Sequence, residues 1–128
     1  MSVIDVDVND PATWDPALDA AAAAPENHQV LYEDANVRVL SVSVAAGTVE
    51  RPHHHRWPSV FVIDRMVKRA RDFDAAGNQI PLPVPTEFEP PLIVKLPPQP
   101  VHYVANDDTI DFHGTRIEFK RGYAGDGK

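Results

Sequence analysis

An all-β fold of short strands, closed as a sandwich or a barrel, is predicted by three features of this sequence. From Val30 onward, β-branched and aromatic residues collect in short runs. Turn-forming groups divide those runs at close spacing, and 13 prolines against 6 glycines stiffen the connections. The last run, IDFHGTRIEFK, alternates apolar and charged side chains as a half-buried strand does. At 128 residues, without an internal repeat, the chain is one domain's worth and can bury a core without staples.

Residues 1 to about 14 show no strong periodicity. Asp15 and Pro16 then open the alanine-rich run 17–24. Aspartate is a good N-cap, proline suits the first helical position, alanine has the highest helix propensity, and Pro25 stops the run. A short helix of two to three turns is expected there, the alternative being an alanine-rich linker. Strands are expected over 30–33, 37–44, 59–64, 66–73, 92–96, 101–105 and 109–120, with turns at 34–36, 45–47, 74–78 and 106–108. The stretch 80–91, IPLPVPTEFEPP, is too rich in proline for a central strand and reads as an extended loop or edge. In the final strand Ile117 and Phe119 are expected to face the core, with Arg116, Glu118 and Lys120 towards solvent. His113 shares the parity of Ile117 and would point inward with it.

Composition excludes several classes of function. Nineteen acidic against 12 basic residues give a formal charge of -7, unsuited to a nucleic-acid backbone, which needs a basic face. No run approaches the roughly 18 apolar residues of a membrane span. The acidic N-terminus MSVIDVDVND lacks a basic region followed by an apolar core, so no secretory signal is expected and a cytoplasmic location is. Without cysteine there are neither disulfides nor thiolate ligands, and any metal must be held by His, Asp, Glu or water.

The stretch Gly47-Thr48-Val49-Glu50-Arg51-Pro52-His53-His54-His55 carries the chemistry. Residues two apart on a strand face the same way, so His53 and His55 would project together and His54 oppositely. Two imidazoles on one face can share an ion, and His102, at the start of a later strand after a proline-rich turn, is the best third ligand. The competing reading has His53 to His55 decorating an exposed strand and His102 in the core. His28 reads as a surface or capping residue, Trp57 and Pro58 as core or rim packing, and Tyr103 as an outward aromatic. Arg69 and Arg71 read as a solvated face, and Asp64 as a partner of Arg65 or its neighbours.

On these residues the chain resembles the cupin family, in its small single-domain (RmlC-like) members. Gly47, His53 and His55 match the first half of the first cupin motif, and Pro97, His102 and Asn106 match the second motif in order. The departures are equally specific. The motif glutamate falls at Ser59 or Val60, and its closing glycine at Met66 or Val67. Pro91 and Gln99 stand where the second motif has glycines. The resemblance covers about 30–120 and implies a double-stranded β-helix, the cupin jelly-roll barrel. Residues 1–29 then form an N-terminal extension with the short helix, and 121–128 a flexible tail.

The resemblance further implies a divalent first-row ion (Fe, Ni, Zn or Mn) held by His53, His55 and His102 in a three-histidine variant lacking the motif glutamate. The missing carboxylate would weaken hard ions such as Mn(II) relative to Zn, Fe, Ni or Cu. Activity as a metal-dependent dioxygenase, lyase or isomerase on a small oxygenated metabolite follows by resemblance, with no catalytic residue assigned beyond the ligands. The alternative is a non-catalytic binding module for a small polar ligand. A metal-free epimerase would need an acid–base pair that the sequence does not offer. A homodimer paired through sheet edges, with no nucleic-acid or membrane partner, completes the expectation.

Overall fold

The computed structural model describes residues 10–122, and most of its strands fall where the sequence implies them. Nine strands follow in chain order: β1 (His28–Glu33), β2 (Val37–Val44), β3 (His53–His55), β4 (Ser59–Arg65), β5 (Ala70–Asp74), β6 (Gln79–Ile80), β7 (Leu92–Leu96), β8 (Gln99–Asn106) and β9 (Phe112–Phe119). They form a five-stranded sheet, β1-β2-β9-β4-β7, and a four-stranded sheet, β3-β8-β5-β6. The predicted strands 37–44 and 92–96 match β2 and β7 residue for residue. The segment expected over 66–73 starts late, at Ala70, because Lys68 and Arg69 donate their backbone N–H groups to the Asp108 carboxylate instead of a strand. The tail expected from residue 121 lies, beyond residue 122, outside the described residues.

The N-terminal helix is shorter than expected. A 3-10 turn at Pro16–Leu18 breaks off at Asp19, and α1 (Ala20–Ala23) starts anew from it. Asp19 caps the amide of Ala21 and also meets both terminal nitrogens of Arg38, at 2.8 and 2.9 Å. That bidentate pair holds the residue out of helical conformation. Trp14, Ala20 and Ala24 are buried, so this segment packs onto the strands.

Alternation along β2 buries Arg38, Leu40, Val42 and Val44 and leaves the intervening residues half-buried. Register with the neighbours extends each inner position into a row: Arg38–Glu118–Ser59, Leu40–Arg116–Phe61 and Val42–Gly114–Ile63. Leu40 and Phe61 of the middle row and Val42 and Ile63 of the last form the apolar core with Leu96. The alternation of β9 is as expected but its sidedness is reversed. Arg116 and Glu118 are buried, at 3% and 0% exposure, whereas Ile117 and Phe119 lie half-buried on the outer face. Ile117 pairs there with Val39 and Val60, an apolar outer row that tolerates the reversal. His113 has the parity of Ile117, as expected, and is therefore also on the outer face, bonded to Asp64 and Ser41.

Two of the three motif residues that are not ligands explain themselves in the fold. Gly47 has φ +72°, a left-handed turn that favours glycine, and its amide donates to the Asn106 carbonyl. Asn106 is buried and its side chain donates to the carbonyls of Val44 and Ile110 while accepting from the Asp108 amide. One amide thus ties the end of β2 to the turn after β8.

Gly114 is required for a different reason. A Cβ there would clash with Cε1 of Phe61. Gly114→Ala is expected to displace that ring and destabilise the protein by roughly 1–3 kcal/mol, the usual cost of overpacking, as read from urea unfolding. An unchanged midpoint would show that Phe61 can swing aside freely.

Candidate metal centre

The strand β3 performs the separation its alternation predicts. His53 and His55 face a cavity between the two sheets, and His54 faces the other way, packed on Trp14 with its Nε2–H donating to the Asp15 carbonyl. β8 lies beside β3 with His102 directly opposite His53. The three sequence-selected histidines therefore line one cavity, with ring centroids 5.0 Å apart for His53–His55, 4.9 Å for His53–His102 and 5.7 Å for His55–His102.

A fourth histidine joins them. His28, expected at the surface, is 3% exposed and its ring lies 4.5 Å from that of His53 and 5.3 Å from that of His55. One ring nitrogen from each of His28, His53 and His55 lies within 4.8 Å of the others. The correction has a local cause. β1 starts at His28, two residues earlier than expected, and His28 pairs with Val42, whose side chain faces inward. The remaining residues of β1 are exposed, so no alternation in the sequence marks its first residue as an inner one.

The ring nitrogens are sorted by their partners. Carbonyls accept only, so Nδ1–H of His28 donates to Ala24 (3.1 Å) and Nδ1–H of His53 to Arg51 (2.7 Å). Nδ1 of His102 pairs with the Asp72 carboxylate at 2.8 Å. His55 presents Nδ1 to Glu118 Oε2 at 3.5 Å. A ring tied through Nδ1 offers Nε2 as its lone pair, the arrangement that orients metal-binding imidazoles. Nε2 of His102 is buried with no hydrogen-bond partner. Such an orphan beside converging neutral imidazoles fits a cation.

Burial keeps the rings of His28, His53 and His55 neutral. It lowers His28 to about 4, against a weaker opposing effect of the Ala24 carbonyl, and holds His53 and His55 well below the ordinary value. Glu50, which sequence reasoning passed over, also lines the cavity. It is 5% exposed, and burial with help from Asp72 pushes its carboxyl up to about 8, against the Val104 amide and Arg116. Burial likewise raises Glu118, partly countered by Arg38. Glu50 stands three residues before His53, whereas the family pattern looks for a carboxylate downstream. At that downstream position Ser59 is fully buried, opposite Glu118.

The other walls are apolar: Val42, Val44, Phe61, Met66, Leu96, and Leu82 to Val84 from the proline-rich segment. The cavity volume is about 70 Å³, well above the ~15 Å³ needed to hold one water. Arg116 is the cation of the wall, its Nη2 donating to Gln99.

Comparison with known proteins locates the fold. A cupin domain from Bordetella pertussis Tohama I superposes with a TM-score of 0.57 at 19% identity, over 73% of this chain and 91% of that one. An RmlC-like cupin with a double-stranded β-helix from Methanocaldococcus jannaschii gives 0.51 at 10% identity, over 72% and 77%. A double-stranded β-helix protein from Klebsiella pneumoniae gives 0.51 at 18%, over 77% and 78%. No family model matches the sequence, and no curated protein matches it significantly. The chain thus has a cupin-type double-stranded β-helix fold. Within it sits a buried histidine cluster able to hold a metal ion.

The shifted groups set the pH dependence of the metal-free protein. From about pH 4 to 6.5 the unfolded chain binds a proton that His28 in the fold refuses, so stability rises with pH; His53 and His55 act the same way. Glu50 opposes them. Between 4.5 and about 8 the fold keeps a proton that the unfolded chain releases, so stability falls as pH rises. Glu118 acts in the same direction as Glu50. Three rings outweigh two carboxyls at low pH, and above 6.5 the effect of Glu50 remains. Thermal midpoints are expected to peak near pH 6.5 and decline towards pH 8. A midpoint still climbing at pH 8 would show Glu50 already ionised in the fold.

Proposed function

We propose that this chain is a metal-dependent cupin enzyme acting on a small oxygenated metabolite. A divalent first-row ion (Fe, Ni, Zn or Mn) would be held by His53, His55 and His102, with His28 beside them. The observation that carries the reading is the cluster of four buried imidazoles, His53, His55 and His102 lining one cavity with His28 against them, three of the four with Nδ1 committed to fixed acceptors. When bound, the ion would supply Lewis acidity or an open position for an oxygen ligand. Dioxygenase, lyase and isomerase chemistry all use that property.

The chain's own residues do the rest. Asp72 holds the His102 ring in one tautomer and orientation. Phe61, Met66 and the 82–84 segment exclude bulk water, so electrostatic interactions inside are strong. Arg116 places a permanent positive charge in the wall, complementary to the oxygens of a small acid. The same reading includes a cytoplasmic homodimer. No helix among the described residues is long and apolar enough to cross a membrane. Val30, Leu31 and Tyr32 on edge strand β1 are exposed where a second sheet edge would join.

Protein purified without an affinity tag is expected to carry about one first-row ion per chain by elemental analysis. His53→Ala and His102→Ala should each lose it. Restoring the ion at 100 times its Kd should stabilise the wild type by about 2.7 kcal/mol. Oxygen uptake with a panel of small diketones under Fe(II) then tests the dioxygenase branch. A folded protein that takes up no first-row ion would leave only the binding-module reading.

A further inference from the structure

Glu50 is not a defined position of either histidine motif, yet its carboxylate is aimed at the cluster. Its backbone N–H donates to the Val104 carbonyl at 2.9 Å, and its side-chain Oε1 accepts from the Val104 amide at 3.0 Å. The residue is clamped onto β8 through both bonds. Oε2 is left facing inward, 3.6 Å from Nε2 of His28 and 3.9 Å from Nε2 of His53. Both of those nitrogens are acceptors in the neutral rings, because their Nδ1–H groups donate to Ala24 and Arg51.

Three acceptor atoms from β1, β3 and the segment before β3 therefore converge, and either a proton on Glu50 or a bound cation must lie between them. Lone pairs facing one another in a dry site repel unless a cation lies between them. The other buried carboxylates near the cluster face Nδ1 atoms, Glu118 Oε2 lying 3.5 Å from that of His55. Asp72 is bonded to Nδ1 of His102 and Glu118 to Arg38.

We propose that Glu50 is a carboxylate ligand of the metal centre, supplying from three residues before His53 the charge that Ser59 does not. The assignment rests on the metal centre proposed above. It changes that centre from a neutral histidine set into a mixed set of imidazoles and one anionic oxygen. Hard ions gain most from such an oxygen, so Mn(II) becomes a competent occupant beside Zn(II), against the preference expected for histidines alone.

Glu50→Gln keeps the side-chain volume and removes the charge. Tag-free wild type and variant, stripped with a chelator, would be titrated with Mn(II) and with Zn(II) by calorimetry, His53→Ala serving as the control for the centre itself. The expected result is at least a tenfold loss of Mn(II) affinity in Glu50→Gln with a smaller loss for Zn(II). Infrared difference spectra of the wild type with one equivalent of Mn(II) should show a carboxylate stretch shifting, and this measurement stands even if the variant folds poorly. Wild-type Mn(II) affinity in Glu50→Gln, or no carboxylate shift in the wild type, overturns the role of Glu50 while a loss in His53→Ala preserves the centre. Absence of any binding to wild type overturns both.

Discussion

A buried neutral imidazole brings one donor and one acceptor, and a cluster of them makes a cation site only if the acceptors are turned towards a common point. In this barrel the turning is done mostly by backbone. The carbonyls of Ala24 and Arg51 take Nδ1–H of His28 and His53, and Asp72 takes that of His102. Backbone acceptors have no rotamers to lose, so the ring directions are set as the chain folds. The lowered basicity of His28, His53 and His55 follows from burial and keeps their lone pairs available near neutral pH.

A second polar assembly supports the first. Arg38 bonds Asp19 through two nitrogens and Glu118 through a third, and Glu118 approaches His55. A buried ion pair is a poor source of net stability, because desolvation offsets much of the attraction. Its use here is positional. It joins the segment before the strands, β2 and β9 at the end of the barrel nearest the histidines. The apolar core of Leu40, Val42, Phe61, Ile63 and Leu96 supplies the cohesion that the ionic end does not.

Most strands and three of the four clustered histidines were legible in the sequence because they follow from period-two alternation and from motif spacing. β2 and β7 have the expected bounds, and His53, His54 and His55 part to opposite sides as a strand requires. Sidedness was not legible in β9. The assumption that apolar side chains mark the interior fails where the interior is built to hold Arg116 and Glu118. His28 was hidden because it is the first residue of an edge strand with no buried successor, and Glu50 because it lies between strands. In both cases the inward direction comes from a tertiary partner, Val42 for one and Val104 for the other.

The stretch from Trp14 to His28 touches the barrel at several of its most sensitive points: Asp15 at His54, Asp19 at Arg38, and Ala24 at the ring of His28 itself. The histidine cluster is consequently not a portable module of the β-strands. An isolated barrel trimmed at residue 30 would contain both histidine motifs intact and still lack one of its imidazoles, along with the counter-charge that Asp19 gives Arg38. Inheritance of the centre depends on a segment that motif comparison alone would discard.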